Sequence, residues 1–143
     1  MRLKLKTKKC YCVNFRRAAR AVTSYYDRTM LQSGITVNQY SLLMHLLRAA
    51  PCTVTALAKT VKLERTTLLR NIKPLAERGL VQDLSKAGER DRRLTVTKKG
   101  ITTLAVAQKL WEKAQAGLKA HVGKEGFAGL MSTIAGLEEL VPS

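Results

Sequence analysis

The residues best placed to do chemistry lie in one basic segment, residues 63–81, which reads LERTTLLRNIKPLAERGLV. On a helical wheel, its polar side chains fall on the side opposite Ile72. They are Thr66, Thr67, Arg70 and Lys73. Arginine can form two hydrogen bonds to guanine, and threonine offers a hydroxyl and a methyl group to bases. This face therefore predicts a helix that reads the major groove of DNA, and the alternative is a solvated amphipathic helix.

Further DNA contacts are predicted around this helix. Arg65 lies in its first turn, where contact with phosphate is easy, and Asn71 belongs to the same DNA-binding set. Four nearby lysines are expected to bind phosphate, which positions a protein on DNA without reading the sequence. They are Lys59, Lys62, Lys98 and Lys99.

A second basic group follows in residues 85–93, which read SKAGERDRR. The flanking stretches, residues 80–84 and 94–97, favour β-strands, so we expect a hairpin with a long basic tip. Arg90, Arg92 and Arg93 on that tip are suited to the minor groove or to the DNA backbone. The alternative is a solvent-exposed loop that does not contact DNA, which would have a similar composition.

The preceding elements predict a helix-turn-helix motif. Apolar residues recur at helical spacing over residues 14–31 and 39–49, and Thr36 with Gln39 forms a capping box before the second helix. Thr53 or Thr55 can begin a short third helix, and a tight turn at residues 62–63 leads into a helix over residues 64–78. A motif of this kind followed by a basic hairpin indicates a winged helix-turn-helix.

Two more helices are expected after the hairpin. Thr97 caps a long helix that ends near residue 120, with Ile101, Leu104 and Trp111 on its apolar stripe. A last helix runs from Gly123 to about residue 140 and is apolar on one side. A short chain offers little core to cover that side, so we expect a second copy to bury it. The predicted fold class is mainly α with a small β-hairpin wing.

Composition and charge narrow the functional classes. The chain has 143 residues and a formal net charge of +16, with net charges of +8 in residues 1–20 and +7 in residues 53–100. This clustering favours a polyanionic partner. The run at residues 1–9 could add non-specific attraction to DNA or act as a solubilising tail. No stretch of the sequence approaches the 18 consecutive apolar residues of a membrane-spanning helix. Three cysteines are typical of a protein in a reducing compartment, so we expect a cytoplasmic protein.

The sequence contains no motif of an enzyme. The glycine spacing of a phosphate loop is not met at residues 117–124, and Glu125 stands where that loop needs Ser or Thr. With two histidines and ten acidic residues, few side chains are available for acid–base catalysis. No cofactor and no metal are expected.

Cys10 and Cys12 lie just before the first helix. Without nearby ligands they predict no metal site. Basic neighbours such as Lys9 and Arg16 would favour the thiolate, so a redox switch is one interpretation, and ordinary cysteines are the other.

The segment at residues 63–81 resembles the recognition helix of the MarR family of winged-helix transcription regulators. Supporting similarity lies in NQYSLLMHL (38–46), TALAKTV (55–61) and LTVTKKG (94–100). The resemblance implies a homodimer with interlocked terminal helices that binds a pseudo-palindromic operator. It also implies release by a small phenolic or lipophilic effector or by cysteine oxidation, as in peroxide-sensing relatives. His45 and Trp111 could border an effector pocket, although His45 is also interpreted as a core histidine.

One position departs from the family pattern. The family carries Asp-x-Arg in its wing, and counting back from Thr97 places Gly88 at the aspartate position and Arg90 at the arginine. Asp91 and Arg93 repeat the motif three residues later. The sequence alone therefore leaves open which arginine enters the minor groove.

We expect three regions. Residues 1–34 form a tail and dimerisation helix, residues 35–97 the DNA-binding lobe, and residues 98–143 the C-terminal dimerisation helices. The predicted function is that of a sequence-specific DNA-binding regulator, most simply a repressor. Two alternatives are an architectural protein that binds nucleic acid without sequence preference, and a module that binds other proteins.

Overall fold

The computed structural model describes residues 10–141, so the basic run at residues 1–9 lies outside it. Within that range the chain is mainly helical with one small sheet, which confirms the predicted fold class. The elements are α1 (Tyr11–Thr29), a 3-10 turn (Leu31–Ser33), α2 (Val37–Ala49), β1 (Cys52–Thr53), α3 (Val54–Thr60), α4 (Arg65–Glu77), β2 (Val81–Asp83), β3 (Arg93–Val96), α5 (Lys98–Val122), α6 (Lys124–Leu137) and a final 3-10 turn (Glu138–Leu140).

The predicted helix starts agree with the caps that the structure shows. The Thr36 hydroxyl accepts a hydrogen bond from the Gln39 amide, and the Gln39 side chain accepts one from the Thr36 amide, which completes the capping box. Thr53 caps α3 by accepting from the Ala56 amide, and Thr97 caps α5 by accepting from the Gly100 amide. These caps fix where α2, α3 and α5 begin.

The sheet has three antiparallel strands in the order β1-β3-β2. Val81 pairs with Val96 and Asp83 with Leu94, which sets the register of the predicted hairpin. The sequence did not predict β1, because two residues are too short to show an alternating pattern. Cys52 in β1 pairs with Leu94, so this strand joins the start of α3 to the hairpin.

One continuous core joins α2, α3, α4 and the sheet. The fully buried side chains of α4 are Leu68, Ile72 and Leu75, spaced at four and three residues as an amphipathic helix requires. They pack in the same cluster as Leu43 of α2 and Leu57 of α3. The core therefore orients α4 with its polar side outward.

The apolar stripe predicted for α5 is wrong at one residue. Ile101, predicted to lie on the apolar stripe, is 48% exposed, whereas Leu104, Ala107 and Ala114 are buried. Ile101 lies about 100° around the helix from the axis of that buried stripe at the usual angular spacing. Gln115 is placed beside α1, where its side-chain oxygen accepts a hydrogen bond from the Tyr26 hydroxyl.

The two ends of the chain leave apolar side chains uncovered. In the first half of α1, Tyr11 and Phe15 are 80% and 55% exposed. Along α6, four side chains on one side of the helix are each 36–43% exposed. They are Leu130, Met131, Ile134 and Leu137. Within the described residues, no helix combines the length and hydropathy needed to span a membrane.

Candidate nucleic-acid interface

The turn between α3 and α4 holds the two helices at a fixed angle. Lys62 adopts a left-handed backbone conformation with φ of 54°, as tight turns require. The Leu63 amide donates to the Ala58 carbonyl oxygen over 3.0 Å, and the Val61 amide donates to the Leu57 carbonyl oxygen over 2.9 Å. The turn therefore closes against the end of α3 and presents the first residues of α4 on the surface.

Helix α4 carries the predicted base-reading set on its outer side. Thr67 is half-buried, and the other predicted residues of this helix are exposed. They are Arg65, Thr66, Arg70, Asn71 and Lys73. Among the described residues Arg70 takes part in no ion pair, whereas the Lys73 ammonium lies 3.9 Å from the Glu77 carboxylate. The Arg70 guanidinium is therefore free to bind an external acceptor.

Two other predicted phosphate contacts form ion pairs within the chain, and Lys99 donates from Nζ to the Arg78 carbonyl oxygen over 2.8 Å. The Arg65 guanidinium lies 3.5 Å from the Asp91 carboxylate of the hairpin, and the Lys62 ammonium lies 4.0 Å from the Glu138 carboxylate. Sequence reasoning missed both contacts, since each joins residues far apart in the chain. All four side chains keep a third or more of their area exposed, so the attraction is weakened by solvent.

Ion pairing distinguishes the three candidate arginines of the wing. Arg90 and Arg92 lie in its tip, residues 84–92, whereas Arg93, predicted to lie on the tip, is the first residue of β3. The Arg92 Nε atom donates to Asp83 Oδ2 over 2.6 Å, and the Arg93 guanidinium donates to Glu89 Oε1 over 3.2 Å. Arg90 is exposed and forms no ion pair with any residue in the range 10–141. Arg90 is thus the wing arginine whose charge is not already neutralised.

Asp83 holds the base of the wing. Its carboxylate accepts hydrogen bonds from the Ser85 hydroxyl and the Ser85 amide, and it pairs with Arg92. The Ser85 hydroxyl, the Ser85 amide and the Arg92 guanidinium lower the pKa of Asp83 to about 2, against a smaller rise from burial. This carboxylate is charged at neutral pH and fixes the position of Arg92.

Asp91 connects the wing to both helices of the motif. Its carboxylate accepts from the Thr55 amide in the first turn of α3, at 3.4 Å, and lies beside Arg65 at the start of α4. The Val54 amide also donates to the Arg92 carbonyl oxygen over 2.9 Å. These contacts hold the hairpin at a set position relative to the recognition helix.

Two of the three cysteines lie at the start of α1, and the third lies in β1, next to the wing strand β3. Cys10 is the N-cap residue of α1, Cys12 lies in its first turn, and both are exposed. Cys52 is half-buried in β1, and burial raises the pKa of its thiol. Within residues 10–141, no cluster of His, Cys, Asp and Glu could hold a metal ion.

His45 and Trp111 contact different parts of the fold. His45 is half-buried and lines a cleft between α2 and α4, and Trp111 is not among the residues that line that cleft. Trp111 packs against Tyr40 of α2 instead, with ring centroids 5.6 Å apart. An effector pocket bordered by His45 and Trp111 stays a prediction.

The chain is similar to known transcription regulators, some of them solved in complex with DNA. A protein-family model described as the MarR family matches residues 33–94. The solved structure of the M. tuberculosis transcriptional regulator MosR in complex with DNA is 36% identical, covers 92% of this chain and 96% of its own, and has a TM-score of 0.79. The transcriptional repressor CouR, bound to a 23-mer DNA duplex, is 26% identical over 96% of this chain and 99% of its own, also with a TM-score of 0.79.

A more distant structure shows the same fold. The S. aureus MepR–DNA complex is 17% identical, covers 94% of this chain and all of its own, and has a TM-score of 0.79. No match was found among curated protein sequences.

Proposed function

Because this chain belongs to the MarR family of DNA-binding transcription regulators, we propose that it is a repressor that binds a pseudo-palindromic operator as a homodimer. Regulators of this family are non-enzymatic DNA-binding proteins. In this proposal residues 1–34 and 98–143 serve dimerisation, residues 35–97 form the DNA-binding lobe, and the protein acts in the cytoplasm.

The exposed side chains on the outer side of α4 give the best support for sequence-specific binding of DNA. This side presents Arg70, without an ion-pair partner among the described residues, beside two threonines that can contact bases. Arg90 on the wing tip supplies a second free guanidinium for the minor groove or the backbone. Lys59, Lys62, Lys98 and Lys99 remain the proposed phosphate contacts.

The exposed apolar residues of α1 and α6 support the homodimer. Several large side chains on these two helices are more than a third exposed in a single chain. A second copy related by twofold symmetry would cover them and place two α4 helices about 34 Å apart, which is one turn of DNA. Such spacing is what a pseudo-palindromic operator requires.

Selection of bound duplexes from a random pool tests this function. We expect an enriched inverted repeat whose half-site centres lie about one helical turn apart. The variant Arg70→Ala should weaken binding to that repeat by about 1–3 kcal/mol, while Lys113→Ala on α5, outside both basic regions, should leave it unchanged. A pool that shows no enriched sequence would support the alternative of an architectural protein. A pool that is not retained at all would support a protein-binding module.

Two routes of release are proposed, a small effector and thiol oxidation. For oxidation, the exposed thiols of Cys10 and Cys12 would lose two electrons to peroxide and form a disulfide, with release of water. Peroxide should then abolish operator binding by the wild type and leave the Cys10→Ser/Cys12→Ser double variant bound. An unchanged peroxide response in that variant removes the redox route and leaves the effector route.

A further inference from the structure

The 3-10 turn that follows α6 reaches back to the turn between α3 and α4. Its first residue, Glu138, places a carboxylate 4.0 Å from the Lys62 ammonium. Among the ion pairs of residues 10–141, this one alone joins the part of the chain after residue 97 to residues 35–97. The chain thus places one of its own carboxylates at a cation that the proposed function assigns to a DNA phosphate.

A phosphate can reach Lys62 only by competing with Glu138. The Lys62 side chain is 80% exposed, so its ammonium is open to an acceptor from solvent. Carboxylate and phosphate oxygens are both strong acceptors for an ammonium group. A phosphate bound to Lys62 would also lie close to the Glu138 carboxylate, and the two like charges would repel each other. The two anions therefore exclude each other at this cation.

Glu138 is held weakly enough to be displaced. Within residues 10–141 its carboxylate forms no second ion pair, and α6, which leads to it, has no buried side chain. An exposed ion pair of this kind contributes little free energy. Asp91 differs, because it pairs with Arg65 but also accepts a hydrogen bond from the Thr55 amide, which fixes it to the start of α3. Of these two carboxylates, Glu138 is the one that can leave.

We propose that Glu138 forms an autoinhibitory contact, in which its carboxylate occupies Lys62 in the DNA-free protein and is displaced by a DNA phosphate. The inference rests on the proposed function, since Lys62 is one of its phosphate contacts. DNA binding then releases the C-terminal turn from the turn between α3 and α4. By linkage, the Glu138 contact lowers the affinity for DNA by the same factor as DNA weakens the contact. Phosphate contacts do not read the sequence, so the effect is the same on any duplex.

Fluorescence anisotropy titrations of the full chain at low salt test the contact, with the selected operator and with a shuffled duplex. Glu138→Gln should tighten binding to both duplexes about two- to fivefold, the range that an exposed ion pair supplies. Glu139→Gln is the matched control, because it removes the same charge from the neighbouring exposed residue, which forms no ion pair within residues 10–141. We expect Glu139→Gln to change the affinity by clearly less than Glu138→Gln.

A double-variant cycle with Lys62→Gln separates competition for Lys62 from general repulsion of DNA. Lys62→Gln alone should weaken binding, and in that background Glu138→Gln should have no larger effect than Glu139→Gln. General repulsion would instead act equally in both backgrounds, so the effects would add. The advantage of Glu138→Gln over Glu139→Gln should also shrink towards one as salt is raised, because screening weakens an exposed pair. Thermal unfolding, measured alongside, identifies any variant that fails to fold.

Three results would overturn the proposal. They are equal effects of Glu138→Gln and Glu139→Gln, an effect of Glu138→Gln that persists in full beside Lys62→Gln, and a wild type that binds neither duplex. The last result would contradict the proposed function as well. Equal affinity for the operator and the shuffled duplex would contradict the proposed function alone, because the cycle can be measured on either duplex. A clear preference for the operator without coupling between residues 62 and 138 would overturn this inference alone.

Discussion

At the scale of single residues, ion pairing distinguishes arginines that the sequence treats alike. Arg92 and Arg93 are engaged by Asp83 and Glu89, whereas Arg90 is free among the described residues. Arg90→Ala should therefore remove a DNA contact. In fluorescence anisotropy titrations at several salt concentrations, the slope of log K against log salt should become less negative by about 0.9.

Arg92→Ala is the matched comparison for Arg90→Ala. Its guanidinium is already neutralised by Asp83 at 2.6 Å, so its loss should change the salt slope by much less. If Arg92→Ala changes the slope by as much as Arg90→Ala, or by more, the assignment of Arg90 as the DNA-contacting wing arginine is wrong.

The wing should also respond to acid through Asp83. Its pKa is about 2 in the folded protein against an ordinary value of 3.8, so its interactions stabilise the wing above about pH 4. This stabilisation is lost as the pH falls from about 4 through 2. The amide resonance of Ser85, followed by NMR, should therefore shift with a midpoint near pH 2.

The variant Asp83→Asn provides the control for that titration, since the Ser85 shift should disappear with the carboxylate. A Ser85 midpoint close to 3.8 in the wild type would mean that the hydrogen bonds and the Arg92 pair do not hold this carboxylate.

The sequence could predict which side chains face outward on α4, but it could not predict their partners. The outward set follows from a helical period anchored by Ile72. The Arg65–Asp91 pair depends on how the hairpin lies against α4, and that position is set by β1, by the strand register and by the turn at Lys62. No local pattern encodes these three features together.

At the scale of elements, the start of α5 is packed directly against the sheet. A Cβ atom added at Gly100 would clash with the Leu80 carbonyl oxygen and lie 2.6 Å from Val96 Cγ1. Gly100→Ala should therefore destabilise the lobe by about 1–3 kcal/mol, as overpacking does. Chemical denaturation followed by circular dichroism measures this change.

Gly126→Ala on α6 is the control for Gly100→Ala. Apart from the backbone of its own helix turn, no atom of residues 10–141 lies within 4 Å of a Cβ added at Gly126, and alanine favours a helix over glycine. Its free energy of unfolding should not fall. Equal effects of the two substitutions would show that α5 does not approach the sheet as closely as described.

Element boundaries were predictable where a side chain defines them. Thr36 and Thr97 begin α2 and α5 because their hydroxyl groups accept hydrogen bonds from amides three residues later. The first helix begins at Tyr11 rather than at residue 14, and no side chain caps it. The inward side of α5 was harder to predict, since small alanines at positions 107 and 114 mark it and the larger Ile101 does not.

At the scale of the whole molecule, the proposed function needs two copies of the chain. In that proposal a single α4 helix would bind one half-site, and in a single chain the apolar sides of α1 and α6 are exposed. The homodimer and the operator are proposed together, because a twofold arrangement would bury those sides and pair the two recognition helices.

The most direct test of sequence-specific recognition is one ratio of affinities. The selected operator and a shuffled duplex of the same composition are titrated with the full chain at the same salt concentration. We predict that the operator binds at least about 10³-fold more tightly. A ratio near one would contradict the account, because binding would then rest on the charge of the chain and not on the side chains of α4.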